Sequence, residues 1–251
     1  MKTVLASALA GSPLAWLDSK KRRSAVGNDY VFARAAVSDF IGKRRDDILG
    51  PDEDLAATAR AIGIPVPGGT FVFENETEMA FLFDYQIMIE EKDGKTPMAR
   101  YLETFPREGL DFKDETAVAC LSSFRYTVFY TEEQVPGLGL LCFDLLSRER
   151  FFLTDRNFPK SMEPAASAMI ASGIMCHGDA WMTSGAAIPY PLAKDGMLQE
   201  IEDMVAKDFI KPLKWKERPP MTPTPAQQAQ LARNLIRLAV KSGATDSIRM
   251  A

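Results

Sequence analysis

The stretch from Arg125 to Thr154, RYTVFYTEEQVPGLGLLCFDLLSRERFFLT, decides the fold class. Its opening run, RYTVFYTEEQV, alternates between apolar and polar side chains, and Pro136-Gly137 then turns the chain. Two further apolar runs, LGLLCFDLL and FFLTD, are separated by the polar turn SRER. Alternation with a period of two, interrupted by short polar turns, is typical of neighbouring antiparallel strands. The stretch therefore predicts three strands joined by tight connections.

Two more strand-like runs follow, SAMIASGIM and AWMTSGAAI, and the four residues CHGD separate them. Glycine permits a positive φ and aspartate bonds to nearby backbone, so CHGD predicts a hairpin turn. Short antiparallel strands bury both of their faces only if they curl into a barrel or pack under a helix. Residues 123–191 therefore predict a five-stranded antiparallel meander or small β-barrel.

The regions on either side of this β-module read as helix. Asn28, Asn75 and Thr96-Pro97 are good helix starts, and apolar residues follow them at three- and four-residue spacing. Near the C-terminus the proline-dense stretch KPLKWKERPPMTPTP leads to an amphipathic helix. We expect an α+β protein with a helical domain (residues 1–122), the β-module (123–191), and a helix, a proline-rich arm and a final helix (192–251).

The β-module also resembles a known group of proteins. The order of YTVFYTEEQVPGLGLLCFDLLSRERFFLTD, SMEPAASAMIASGI and TSGAAIP is similar to a β-region of uncharacterised bacterial proteins that often carry a SEC-C zinc-binding tail. The likeness covers residues 124–191 and includes FDLLS and a later Ser-Gly pair. The cysteine-rich motif of the tail is absent here, so no zinc ligand and no activity carry over. The resemblance implies a compact β-module in a bacterial cytoplasmic protein.

Composition excludes several classes of protein. The chain of 251 residues has a formal net charge of −4, which disfavours nucleic acid as its principal partner. No apolar run approaches the roughly 18 residues that span a membrane. Residues 3–10 imitate the core of a signal peptide, but the run is short and contains Ser and Thr, so an ordinary N-terminal helix is favoured. Three widely spaced cysteines fit a reducing compartment, and we expect a cytoplasmic protein.

The stretch MCHGDAWMTSG (residues 175–185) contains the only histidine of the chain and the candidates for a reactive site. Zinc sites in proteins use about four ligands, commonly from closely spaced Cys and His pairs. The candidates here are Cys142, Cys176, His177 and Asp179. Adjacent strand residues point to opposite faces, so Cys176 and His177 meet only if Gly178 turns the chain. With this spacing we expect no metal and no cofactor.

A hydrolase would use His177, Asp179 and Ser184 as its catalytic residues. A nucleophile elbow needs the pattern Gly-x-Ser-x-Gly at a strand-to-helix turn. The sequence MTSGA lacks the first glycine and the following helix. The catalytic residues therefore stay unassigned, and an ordinary turn is the favoured interpretation.

Acidic residues also collect around one predicted helix. They are Glu76, Glu78, Asp84, Glu90 and Glu91. Two carboxyls several ångströms apart are enough for acid–base catalysis, but sequence spacing does not establish that geometry. We expect a solvated helix face here.

Basic residues form three clusters that are candidates for binding a polyanion. In the proline-rich arm they flank an aromatic side chain that could stack on a base, and the set is Lys211, Lys214, Trp215, Lys216 and Arg218. The other two clusters lie near the N-terminus, and they are Lys20, Lys21, Arg22 and Arg23, and Lys43, Arg44 and Arg45. Basic residues near helix ends and next to acids are also ordinary surface features, so nucleic-acid binding is the secondary interpretation.

The final helix places Leu231, Leu235 and Leu238 on one face. Such a helix either docks on its own body or enters the groove of a neighbour, so self-association is an open alternative. Together these features predict a non-enzymatic interaction protein that binds a protein or nucleic acid through the β-module and the C-terminal arm. The alternative is a small hydrolase or metal-dependent enzyme centred on His177 and Asp179.

Overall fold

The computed structural model describes residues 13–51, 54–155, 168–191 and 220–242. Within these ranges, helices precede a closed five-stranded β-barrel and one helix follows it. The predicted α+β class is therefore confirmed, with the barrel rather than an open meander as the form of the β-module. The division of the chain into three domains stays a prediction.

The helices are labelled in chain order. Before the barrel come α1 (Lys20–Leu49), α2 (Leu55–Ala61), α3 (Glu76–Asp84), α4 (Pro97–Thr104) and α5 (Phe112–Ser122). The helix after the barrel is α6 (Pro225–Ser242). Helix α3 continues directly into a π-helical segment, Tyr85–Ile89. Short 3-10 turns occur at Ala15–Leu17 and Pro67–Gly69.

Side-chain caps explain where several helices begin. The predicted caps Asn75 and Thr96 each accept a hydrogen bond from a backbone N–H in the first turn of α3 and α4. Helix α1 differs from the prediction because it begins after Ser19, whose hydroxyl accepts from the backbone N–H of Arg22 at 3.2 Å. Asn28 is therefore an exposed residue inside the helix and not its cap.

The strands are β1 (Arg125–Val135), β2 (Gly139–Asp144), β3 (Arg150–Thr154), β4 (Ala168–His177) and β5 (Ala180–Pro191). Their order around the barrel is β1-β2-β3-β5-β4. Strand β4 pairs antiparallel with both β1 and β5. The barrel closes through a parallel contact between β3 and β5 at Leu153 and Trp181. This parallel contact is the one departure from the predicted antiparallel pairing.

The barrel interior is filled by apolar side chains that come from every strand. The buried members are Phe129, Leu140, Cys142, Phe151, Leu153, Ile170, Ile174 and Ala187. Alternate residues of β1, β4 and β5 point outward and join the main core under the helices. Leu14 and Leu17 cover another part of the barrel wall. The two clefts described for this chain are both lined by residues outside this interior cluster.

None of the described helices is both long enough and apolar enough to cross a bilayer.

Candidate functional site

The β4–β5 hairpin contains the predicted reactive residues. His177 pairs with Ala180, and Gly178 and Asp179 form the turn between them. Gly178 has a φ of +57°, as the sequence led us to expect for a turn glycine. The predicted hairpin turn is confirmed.

The His177 side chain is buried against α1. It is 6% exposed, and its ring lies 6.0 Å from that of Tyr30 in a tilted arrangement. Neither ring nitrogen makes a hydrogen bond of good geometry in the structure. Burial lowers the pKa of His177, while the charge of Asp29 and the nearby backbone of Trp181 act in the opposite direction. Among the described residues, no carboxylate or nucleophile is bonded to the His177 ring.

The candidate metal ligands do not meet. Cys142 points into the barrel interior, whereas the half-buried Cys176 directs its thiol to the backbone oxygen of Gly178 at 3.3 Å. Asp179 is exposed at the turn. Within the described ranges, no three His, Cys, Asp or Glu side chains come close enough to hold a metal ion. Desolvation by burial also raises the pKa of both thiols, which disfavours the thiolate that a metal requires.

Ser184 has a partner that the sequence did not predict. Its hydroxyl donates to the carboxylate of Asp84, the last residue of α3. At this point β5 forms a bulge, since Gly173 of β4 lies opposite Ser184, Gly185 and Ala186. The backbone N–H of Ala186 donates to the same carboxylate. Asp84 therefore satisfies the donors that the bulge frees from the strand ladder.

Arg34 of α1 holds the bulge from another direction. Its Nη1 donates to the backbone oxygen of Thr183 at 2.5 Å. Gly185 adopts a φ of +128°, and a Cβ added there would lie 2.9 Å from Nη2 of Arg34. We call Asp84, Arg34 and Ser184 the bulge clamp. The clamp ties two helices to one strand of the barrel.

The pKa of the Asp84 carboxyl is shifted by its place in the bulge clamp. Desolvation by burial raises its pKa to about 6, although Ser184, Arg34 and the Ala186 N–H each lower it. The residue as a whole is only partly buried, but its carboxyl group faces the protein. Glu78 on the same helix is 1% exposed, and its carboxylate accepts from the backbone N–H of Glu74 at 2.9 Å. The expected solvated helix face is therefore wrong at Glu78 and Asp84, because α3 packs against the barrel.

A serine bonded to a carboxylate resembles part of a catalytic triad, but the predicted triad is not assembled. Ser184 is bonded to Asp84, while His177 is bonded to no carboxylate or hydroxyl in the described ranges. A triad needs the histidine base on the nucleophile and a carboxylate behind it. The geometry instead favours a structural role for Ser184 in the bulge clamp.

A surface cleft lies where the helices, the start of β1 and the C-terminal helix meet. Its volume is about 330 Å³, at the lower end of the range for ligand sites. Its floor is apolar and comprises Met88, Ile89, Met98, Leu102, Leu121 and Phe124. Its polar rim includes Lys95, Thr96, Glu103, Arg107, Ser122 and Gln228. Sequence reasoning missed this cleft because its lining comes from separate stretches of the chain, at residues 88–89, 94–107, 121–124 and 225–228.

The basic residues of α1 are largely engaged within the chain. Arg22 and Arg23 donate to backbone oxygens of residues 16–18, which stabilises the end of the N-terminal 3-10 turn. In the second cluster Lys43 pairs with Asp39, Arg44 pairs with Asp114, and Arg45 lies over the ring of Phe83. Lys20 and Lys21 are exposed. The arm residues Lys211, Lys214, Trp215, Lys216 and Arg218 lie outside the described ranges.

Helix α6 docks on its own chain. Leu231 and Leu235 are completely buried in the main core, and Leu238 packs against that core. These leucines therefore pack on their own chain, and the oligomer contact through this helix stays a prediction. Tyr85 of the π-helical segment reinforces the docking, because its hydroxyl accepts from Nε of Arg233 at 3.2 Å.

The fold and sites define a mixed α+β protein built on a closed five-stranded barrel. Residues 29–212 match the model of a family of unknown function (DUF7986), and the chain belongs to that family. No curated protein and no solved structure matches the chain.

Proposed function

We propose that this protein is a non-enzymatic interaction protein that binds an apolar segment of a partner protein in the cleft. The single observation that carries the proposal is the combination of an apolar floor and a polar rim in a preformed concavity. Protein interfaces have this anatomy, with a desolvated apolar centre and polar groups around it.

The cleft is rigidly built, which favours binding. Its floor residues Met98 and Leu121 belong to the main core, so the floor does not need to form when a partner arrives. Gln228 at the rim is fixed because its amide oxygen accepts from the backbone N–H of Tyr126 at 2.8 Å and its amide nitrogen donates to Pro223. Two methionines in the floor offer adaptable contacts to an incoming apolar side chain.

Binding is favoured over catalysis and over nucleic-acid recognition for separate reasons. The serine and histidine that a hydrolase would use have different environments, and the most perturbed carboxyl nearby is occupied by the bulge clamp. Most basic side chains of α1 already contact acids, rings or carbonyls of the same chain. Phosphate binding would need such cations to be available.

From the sequence we also infer a bacterial cytoplasmic protein related to the SEC-C-bearing group. The arm around Trp215 is proposed as an additional contact for the same partner.

The experiment compares two identical substitutions on neighbouring helices. Ala99 of α4 lines the cleft, whereas Ala119 of α5 is exposed and does not line it. Octapeptides are selected on the full-length chain from a displayed random library, and the selected peptide is titrated by fluorescence polarisation. We expect Ala99→Trp to weaken binding at least about tenfold, because the indole fills the cleft, and Ala119→Trp to leave it unchanged.

Ser122→Trp, which also enters the cleft, serves as a second blocking variant if Ala99→Trp does not fold. Circular dichroism and thermal unfolding establish which variants fold. The proposal is overturned if the selected peptides bind the blocked variants as tightly as the original chain. It is also overturned if no peptide with apolar side chains is selected, or if only nucleic acid binds the chain in a salt-dependent way.

A further inference from the structure

Two phenylalanine side chains stand exposed where α1 and α5 lie side by side. Phe32 is 40% exposed and Phe112 is 72% exposed. Their rings stack with centroids 5.3 Å apart and an angle of 29° between the planes. We call this pair the aromatic platform. Single exposed apolar residues are ordinary on protein surfaces, but here stacking on Phe32 holds the more exposed ring, Phe112, in a fixed position.

The fold does not depend on Phe112 for the start of α5. Asp111 already caps that helix by accepting from the backbone N–H of Asp114 at 2.8 Å. The ion pair between Arg44 and Asp114, at 2.5 Å, already joins α1 to α5. Stacking covers only part of Phe112 and leaves most of it in water. The exposed ring is therefore available for a contact outside the chain.

Acidic residues lie close to both members of the aromatic platform along their helices. Asp29 lies one helical turn before Phe32, while Asp111 and Glu115 are placed on either side of Phe112 along the chain. All three acids are exposed, and none of them forms an ion pair with a cation in the part of the chain that the structure describes.

Nearby cations do not neutralise this negative charge. Lys113 and Lys43 both bind Asp39, at 3.0 Å and 2.7 Å. Asp29, Asp111 and Glu115 are therefore the carboxylates left to a cation from outside the described residues.

We propose that the aromatic platform docks an arginine side chain of a partner protein. A guanidinium is planar, so it can lie flat against an exposed ring while its N–H groups reach the carboxylates beside it. A lysine ammonium offers the same charge but lacks the planar face. This contact is separate from the cleft and does not rest on the proposed function.

The test titrates the 15N-labelled full-length chain with a short Gly-Ser peptide that carries a central arginine. The comparison peptide carries citrulline, which keeps the planar shape but has no charge. We expect chemical-shift changes at residues 29–36 and 111–116, with about threefold weaker binding of the citrulline peptide. Phe112→Ala is expected to weaken binding of the arginine peptide by a similar factor.

Val72→Ala is the matched control, because Val72 is also an exposed apolar residue, at 45%. It should leave binding unchanged. The combined variant Asp29→Asn/Glu115→Gln should lower the affinity and remove most of its dependence on salt.

Four results would overturn the proposal. The first is equal binding of the arginine and citrulline peptides, and the second is binding that survives Phe112→Ala. The third is tighter binding of a leucine peptide, which would assign the surface to an apolar partner. The fourth is chemical-shift changes at the platform that depend on protein concentration without peptide, which would assign the surface to a second copy of the chain.

Discussion

The stretch from His177, the last residue of β4, to Ser184 in β5 satisfies its polar groups differently at its two ends. At the hairpin, His177 is buried beside Tyr30, and neither ring nitrogen makes a hydrogen bond of good geometry. At the bulge, the Ser184 hydroxyl and the Ala186 N–H both donate to Asp84, while Arg34 binds Thr183. The two places are only a few residues apart in the sequence.

The difference shows that the surrounding helices decide the chemistry of these residues. Helix α3 brings a carboxylate to Ser184, whereas α1 brings an aromatic ring to His177. Burial therefore raises the pKa of Asp84 at one place and lowers the pKa of His177 at the other. Both shifts favour the uncharged form, but they give opposite dependences of stability on pH.

The largest expected effect is the pH dependence that comes from Asp84. Its pKa is about 6 in the folded protein against an ordinary value of 3.8, so the folded state binds the proton more tightly. This group therefore stabilises the fold most below about pH 4, and that contribution, roughly 3 kcal/mol, is lost as the pH rises through 6. Asp84→Asn removes this titration. The free energy of unfolding of the variant minus that of the unmodified protein should therefore increase from pH 4.5 to 7.5.

Urea unfolding at several pH values measures this difference, in which the titrations of all other groups cancel. Thr96→Ala is the control, because it removes the side-chain cap of α4 but no ionisable group. A difference for Asp84→Asn that stays constant across the range would show that the carboxyl is not desolvated.

The two glycines of the hairpin and the bulge give the next effect. Gly185 has a φ of +128° and Arg34 lies 2.9 Å from the position of an added Cβ, whereas Gly178 has a φ of +57° and open space around it. Gly185→Ala should cost about 2 kcal/mol or more, because it combines backbone strain with a displaced guanidinium. Gly178→Ala should cost about 1 kcal/mol from strain alone. Equal losses of unfolding free energy for the two variants, measured by chemical denaturation, would contradict the special role of the bulge.

The smallest effect is the acid sensitivity that comes from His177. Because burial lowers its pKa below 6.5 in the folded protein, the unfolded chain binds the proton more readily. The contribution of this residue to stability is therefore lost as the pH falls through 6.5, the reverse of Asp84. His177→Phe keeps a ring against Tyr30 but cannot titrate, so its melting temperature should decline less than that of the unmodified protein between pH 7 and 5. The same decline in both proteins would contradict a lowered pKa of His177 in the folded protein.

Local sequence patterns were sufficient for the strands and for two of the three predicted helix starts. The alternation in RYTVFYTEEQV, the Pro136-Gly137 turn and the CHGD turn each correspond to a strand or a connection in the structure. Side-chain caps at Asn75 and Thr96 act within one helical turn, so they are also visible in sequence. The first helix was misjudged because Ser19 and the carbonyl contacts of Arg22 and Arg23 extend it beyond its apolar stripe.

The candidate sites depended on contacts between distant parts of the chain. Asp84 and Ser184 are separated by 100 positions, and no local pattern pairs them. The lining of the cleft likewise comes from segments that meet only after the helices pack on the barrel. The burial of Leu231 and Leu235 also depends on contacts between distant parts of the chain, since an amphipathic face does not specify which surface covers it.

The sequence by itself determined the class of fold, the five strands and the turn at residues 177–180, because periodicity and turn chemistry act over a few residues. Only the tertiary structure decided that the strands close into a barrel through β3 and β5, that Ser184 bonds to Asp84, and that an apolar cleft opens beside Phe124. Those features depend on which faces pack together, and packing follows from the burial of apolar surface over the whole chain.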